Sequence, residues 1–170
     1  APTKDVELGY DTGLPLFKSK IALGNFGYAV KFAPDCTVFN VKRISIYGNT
    51  YGENNADKYC ELRITDENQN VLFTTTFLRT VFSPQSQWIN LDVPTVATSG
   101  AFYVMLLTNS PRTEGIAISY DTSISNQSSE VIENWKIVNW SSKLPTLDKN
   151  SCNWMIRVTG SSNTQVTCPL

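Results

Sequence analysis

Histidine is absent from the 170-residue chain. That removes Ser-His-Asp and Cys-His catalysis and the usual His-bearing zinc sites. What remains for chemistry is four cysteines, scattered carboxylates and a set of aromatics. Cys36, Cys60, Cys152 and Cys168 contain no C-x-x-C pair, which argues against a zinc ribbon or a thioredoxin-type motif. Cys152 and Cys168 are equidistant from Gly160. If Gly160-Ser161-Ser162-Asn163 turns the chain into a hairpin, the two lie opposite each other and are expected to bridge. Cys60 is in phase with Leu62 and Ile64, so it reads as a buried free thiol. A Cys36–Cys60 bridge is not favoured by that geometry, and the state of Cys36 stays open.

The oxygen-rich turns come next. Asp66, Asn68 and Asn70 have the alternate spacing of a calcium loop, but the Gly and the distant Glu of an EF-hand are missing. A hairpin turn is the favoured reading, with a structural calcium as the alternative and no other cofactor expected. Glu53, Asn54, Asn55 and Asp57 form a second such loop, read as solvated. No local motif selects a carboxylate pair for glycoside hydrolysis, so a carboxylate-dependent hydrolase is the least favoured function.

Trp88, Phe102 and Trp154 lie in apolar strand patterns and are assigned to the core. Trp135, Trp140, Tyr51 and Tyr59 border polar stretches and are expected to be partly exposed. Exposed rings with amide and carboxylate neighbours suit a sugar, whose apolar face stacks while its hydroxyls are hydrogen-bonded. Edge-strand packing accounts for the same residues without a ligand. Arg157 shares a strand face with Met155, so its guanidinium is expected to be covered and paired with Asp11 or Asp121. The alternative is a solvated Arg on an open face.

These residues need elements to hold them, and the composition points to strands. Ser, Thr and Asn are abundant, β-branched and aromatic residues are frequent, and charged residues make up only 17%. Short apolar or alternating runs are punctuated by Gly, Pro, Asn and Asp. Strands are predicted at 6–10, 27–32, 38–47, 59–65, 71–81, 88–93, 102–108, 115–120 and 153–159, with 130–140 a pair or one irregular strand. Tyr59–Thr65 alternates with Cys60, Leu62 and Ile64 on one face and Glu61 and Arg63 on the other. No sustained helical period, repeat or linker appears. The prediction is one all-β domain over 1–170, an antiparallel two-sheet, jelly-roll-like β-sandwich.

The formal net charge of −1 gives no electrostatic footprint for nucleic acid. No run approaches a membrane span, none reads as a signal peptide, and no basic amphipathic stretch suggests membrane insertion. Asn126-Gln127-Ser128 and Asn139-Trp140-Ser141 match the N-glycosylation acceptor pattern.

Several pieces recur in a recognisable order. Tyr10-Asp11 is followed by Gly27-Tyr28-Ala29-Val30-Lys31-Phe32 and by Val41 to Gly48. Trp88 to Val93 precedes Gly100-Ala101-Phe102-Tyr103-Val104, and Tyr120-Asp121 precedes Trp154 to Val158. This layout resembles a non-catalytic jelly-roll-like β-sandwich domain of secreted and cell-surface proteins in archaea and bacteria. The resemblance implies no catalytic motif and no enzyme activity. It implies a secreted or cell-surface accessory module with an adhesion, envelope-structural or binding role, its partner a glycan or another envelope protein. A carbohydrate-binding module using the exposed Trp and Tyr is the alternative.

Overall fold

The computed structural model describes residues 4–20, 25–34, 38–122, 128–140, 147 and 149–162. Within them lie strands β1 (Val6–Leu8), β2 (Phe17–Ser19), β3 (Phe26–Phe32), β4 (Val38–Tyr51), β5 (Tyr59–Asp66), β6 (Val71–Leu78) and β7 (Gln87–Ser99). They continue with β8 (Phe102–Leu107), β9 (Gly115–Asp121), β10 (Ser129–Glu133), β11 (Lys136–Val138), β12 (Asn153–Trp154) and β13 (Ile156–Ser162). Single 3-10 turns occupy Arg79–Val81 and Lys149–Ser151. No helix among the described residues is long and apolar enough to cross a membrane.

The strands form two antiparallel sheets. The first has the order β1-β13-β4-β9-β12, with β2 on β9 and β7 on β4. The second has the order β11-β10-β3-β8-β5-β6. From β3 to β13 the chain passes back and forth between the sheets, as in a jelly roll. The fold is therefore the all-β two-sheet sandwich that the alternating pattern predicts.

Burial follows the side-chain period of two. Cys60, Leu62 and Ile64 face inward from β5 to meet Ile44, Ile46, Ile116 and Ile118 of the first sheet in one continuous core. At one end Trp154 is enclosed by aromatic rings. Trp140 stacks on it at 5.3 Å and 11°, and Tyr28 and Tyr120 meet it edge-on at 4.8 and 5.6 Å.

The first sheet forks at Met155. β4 pairs with β9 through Gly48–Tyr51 and with β13 through Phe39–Ile46. The last strands enter as a wedge between β4 and β9. Met155 N–H donates to Ser119 O at 2.9 Å, and Met155 O accepts from Tyr47 N–H at 3.0 Å. The link between β1 and β2 covers the outer side of this fork. There Thr12 N–H and Oγ1 donate to Asp121 Oδ2 at 2.6 and 3.1 Å.

Several sequence expectations change: β6 stops at Leu78, where Arg79–Val81 form a 3-10 turn, and the strand expected over 153–159 breaks at Met155. β7 runs on to Ser99 instead of stopping at Val93. Pro94 is accommodated because β7 is an edge strand and its register shifts there, opposite Val41 and Arg43. Trp88 is not core: Ile89, Leu91 and Val93 take the inner face, which turns Trp88 outward against Tyr47, ring to ring at 5.3 Å. Gly160 is not a turn. It lies inside β13 opposite Val41, and a Cβ there would sit 2.0 Å from Asn40 O.

Candidate functional site

The 130–140 segment folds as the hairpin β10–β11, joined by Asn134 and Trp135 alone. Both have positive φ, 50° and 66°. That geometry matches the twist of flanking strands, and Asn accepts it readily. A tryptophan does not: Gly is the usual second residue, and a bulky side chain there is a strained outlier. The Trp135 ring packs with Ile137 against an apolar cluster on the outer face of the second sheet, formed by Ala29, Tyr103, Met105, Leu107 and Ile132. It stays partly exposed.

Arg63 reaches the same place from the wet face of β5. Its guanidinium carbon sits 4.1 Å from the Trp135 ring centroid, a cation–π contact. Its Nε is buried, and no described residue accepts a hydrogen bond from it. The β5–β6 turn supplies Asn68 and Gln69 from the other side. Together with Asn134, Lys136 and Ile137, these residues line an open pocket of about 510 Å³. Three carboxamides offer both donors and acceptors, and Arg63 and Lys136 offer donors only. Among the described residues no carboxylate lines the pocket. The lining therefore suits a polyhydroxylated ligand with an apolar face, neutral or anionic. It does not supply an acid–base pair.

Of the four ring candidates from the sequence, only Trp135 lies at this pocket. Trp140, expected to be partly exposed, is instead 5% exposed and stacked on Trp154 in the core. The polar residues beside it in sequence do not reveal that its own ring faces inward. Tyr51 is half-buried, donates to Pro111 O at 3.0 Å and lies under the Lys20 ammonium at 4.5 Å. Tyr59 is exposed at the start of β5, where its carbonyl accepts from Asn109 Nδ2. Sequence reasoning missed Arg63, Gln69, Asn134 and Lys136. The only local signal was Asn-Trp at the centre of a hairpin; the rest are brought together by folding.

Asp66 closes its turn. Oδ1 accepts from the backbone N–H groups of Asn68 and Asn70, both at 2.9 Å, and Oδ2 from Asn70 Nδ2 at 3.0 Å. The Asn70 side-chain and backbone donors hold its carboxyl below the usual range. These bonds make Asp66 and Asn70 the residues that close the hairpin turn. In the second polar loop, Asn55 is buried, with Nδ2 donating to Tyr51 O at 3.0 Å and Oδ1 accepting from the enclosed Arg79 at 3.4 Å. Arg79 also donates to Thr108 O and Asn109 O, which ties three loops together.

Cys60 and Cys152 are buried free thiols, and burial pushes Cys60 up to about 12. Cys36 and Cys168 lie outside the described residues, and the hairpin about Gly160 that motivated a Cys152–Cys168 bridge is not formed. Asn126 also lies outside them, and Asn139 is exposed.

Arg157 meets Asp11. Its Nε donates to Asp11 Oδ2 at 3.0 Å, its Nη2 to Oδ1 at 2.6 Å, and its Nη1 to Glu7 at 3.0 Å. The guanidinium carbon also lies 4.3 Å from the Trp88 ring centroid. Gly9 and Gly13 make room: a Cβ on Gly9 would fall 2.8 Å from Arg157 Cγ, and Gly13 adopts φ +82° to donate its N–H to Asp11 Oδ1. Asp121 serves elsewhere, accepting from Thr12 and from Asn153 Nδ2 at 2.9 Å.

No protein-family model matches the chain, and no curated protein matches it. Among solved structures it is similar to a chain holding the cysteine protease and lectin-like domains of a surface layer associated protein of Clostridium difficile. The TM-score is 0.55, with 15% identity, over 82% of this chain and 33% of that one. A family two carbohydrate esterase from Cellvibrio japonicus aligns at TM-score 0.33 and 9% identity, over 96% of this chain and 37% of that one. The chain thus spans about a third of the length of these solved chains. What the first likeness shows is the fold, a two-sheet β-sandwich.

Proposed function

We propose that this chain is a non-catalytic carbohydrate-binding module of a secreted or cell-surface protein, with its sugar site at the Trp135 pocket. The observation that carries the reading is Trp135 itself. A bulky ring stands where the turn calls for glycine, partly exposed over a pocket lined by carboxamides. Such backbone strain costs about 1–3 kcal/mol and is most often kept where it serves a function. The ring offers a stacking surface, while Asn68, Gln69 and Asn134 bond hydroxyls. Arg63 and Lys136 beside them favour an acidic sugar. The lectin-like domain carried by the solved chain of similar fold is in keeping with a glycan ligand.

A glycan array with the purified chain tests this. Binding to uronic-acid or other acidic glycans is expected, and it is lost in Trp135→Gly. That variant removes ring packing but also relieves the turn, so its stability is expected to stay within about 1 kcal/mol of the parent. Trp140→Ala is expected to lose about 3–5 kcal/mol through a core cavity. Binding that survives Trp135→Gly, or no binding to any glycan, refutes the proposal.

A further inference from the structure

The long free edges of the two sheets are not alike. In the first sheet, β7 carries Asp92 and Pro94, and the short β1 and β2 carry Glu7 and Lys18. In the second, β11 is only three residues long and includes Lys136. Charge, proline and short length are the usual means by which edge strands avoid pairing with other chains. β6 has none of them. It runs Val-Leu-Phe-Thr-Thr-Thr-Phe-Leu over eight residues, with no charge and no proline. Among the described residues it pairs with β5 alone. Leu72 and Leu78 are 42% and 38% exposed, and the one register shift in this hairpin falls beside Leu72, leaving Phe73–Phe77 regular.

The sequence of β6 also reads the same in both directions. Leu72-Phe73-Thr74-Thr75-Thr76-Phe77-Leu78 is symmetric about Thr75. An antiparallel pair of identical strands related by a two-fold axis at Thr75 would match every residue with its like. Phe73 would face the second copy's Phe77, Thr74 its Thr76, and Leu72 its Leu78. Aromatic and Thr–Thr cross-strand pairs are among the favourable ones, and a two-fold contact of this kind closes on itself.

We infer that the chain forms a two-fold dimer by antiparallel pairing of β6 with β6 of a second copy. The two six-stranded sheets become one continuous sheet, and every residue keeps its face across the axis. Both Trp135 pockets then open on the same side, with their Arg63 positions on the order of 15 Å apart from strand spacing. On the sugar-binding reading, which the dimer itself does not require, the assembly is bivalent.

Sedimentation equilibrium of the 170-residue chain over micromolar concentrations tests the pairing. The expected mass is twice the 18.9 kDa of one chain. Thr74 and Thr76 are exposed, so charge can be placed there without touching the core. In T74K/T76K each Lys meets a Lys across the axis, and the dissociation constant is expected to rise by roughly a hundredfold. In T74K/T76E each Lys meets a Glu, and the dimer is expected to persist. A parent chain that is monomeric at every concentration overturns the inference. So does a dimer that survives T74K/T76K, or a T74K/T76E variant as monomeric as T74K/T76K.

Discussion

Arg157 is 22% exposed, and the Asp11 side chain it grips is fully enclosed. The pair links the last strand to the segment after β1, far apart in the chain. An exposed pair contributes about 0–1 kcal/mol, whereas breaking a buried one costs about 3–5. The enclosed carboxylate decides between these ranges, because its charge would be left uncompensated. Arg157→Met is therefore expected to lose close to 3 kcal/mol in denaturant melts. A loss below about 1 kcal/mol would mean that water already shares the pair. The sequence put Arg157 forward because it alternates with Met155 on one strand face, and Met155 is indeed buried. It could not choose between Asp11 and Asp121, since both follow a tyrosine in the sequence. The choice depends on how the segment from Gly9 to Thr12 crosses the fork: Thr12 occupies Asp121, and Asp11 is left for the guanidinium.

Among the elements, the β5–β6 hairpin was the most legible. Its strand alternates strictly, and Asp66 to Asn70 carries the side chains that bond their own backbone. β7 and β13 were less so. A proline and a glycine normally end strands, but an edge position and a register shift absorb Pro94, and the close approach of Asn40 requires Gly160. Those are tertiary facts, with no counterpart in the local pattern. The Asp66 turn makes its own prediction. A carboxyl whose folded pKa is depressed contributes stability above its unfolded value, about 3.9, and that stability is lost as pH falls through the lower folded value. Asn70→Ala removes the side-chain donor that contributes most to the depression. The Asp66 pKa is then expected to move up toward the ordinary value in an NMR carboxyl titration, and an unmoved pKa would show that the Asn70 amide does not hold it.

At the scale of the molecule, the sandwich was legible because its inward and outward residues alternate along strand after strand. The pocket was not. Trp135 stood out as a ring beside polar residues, but so did Trp140, which the fold buries against Trp154. The pocket joins a turn near residue 69 to one near residue 135 across the outer face of a six-stranded sheet, and no local pattern encodes that meeting. The most direct test of the sugar site is a ¹H–¹⁵N NMR titration of the labelled chain with a uronic-acid oligosaccharide. The Trp135 indole N–H and the side-chain amides of Asn68, Gln69 and Asn134 are expected to shift together, while the Trp140 and Trp154 indoles stay in place. Shifts centred on Trp88 or Tyr59, or none at millimolar sugar, would contradict the Trp135 site.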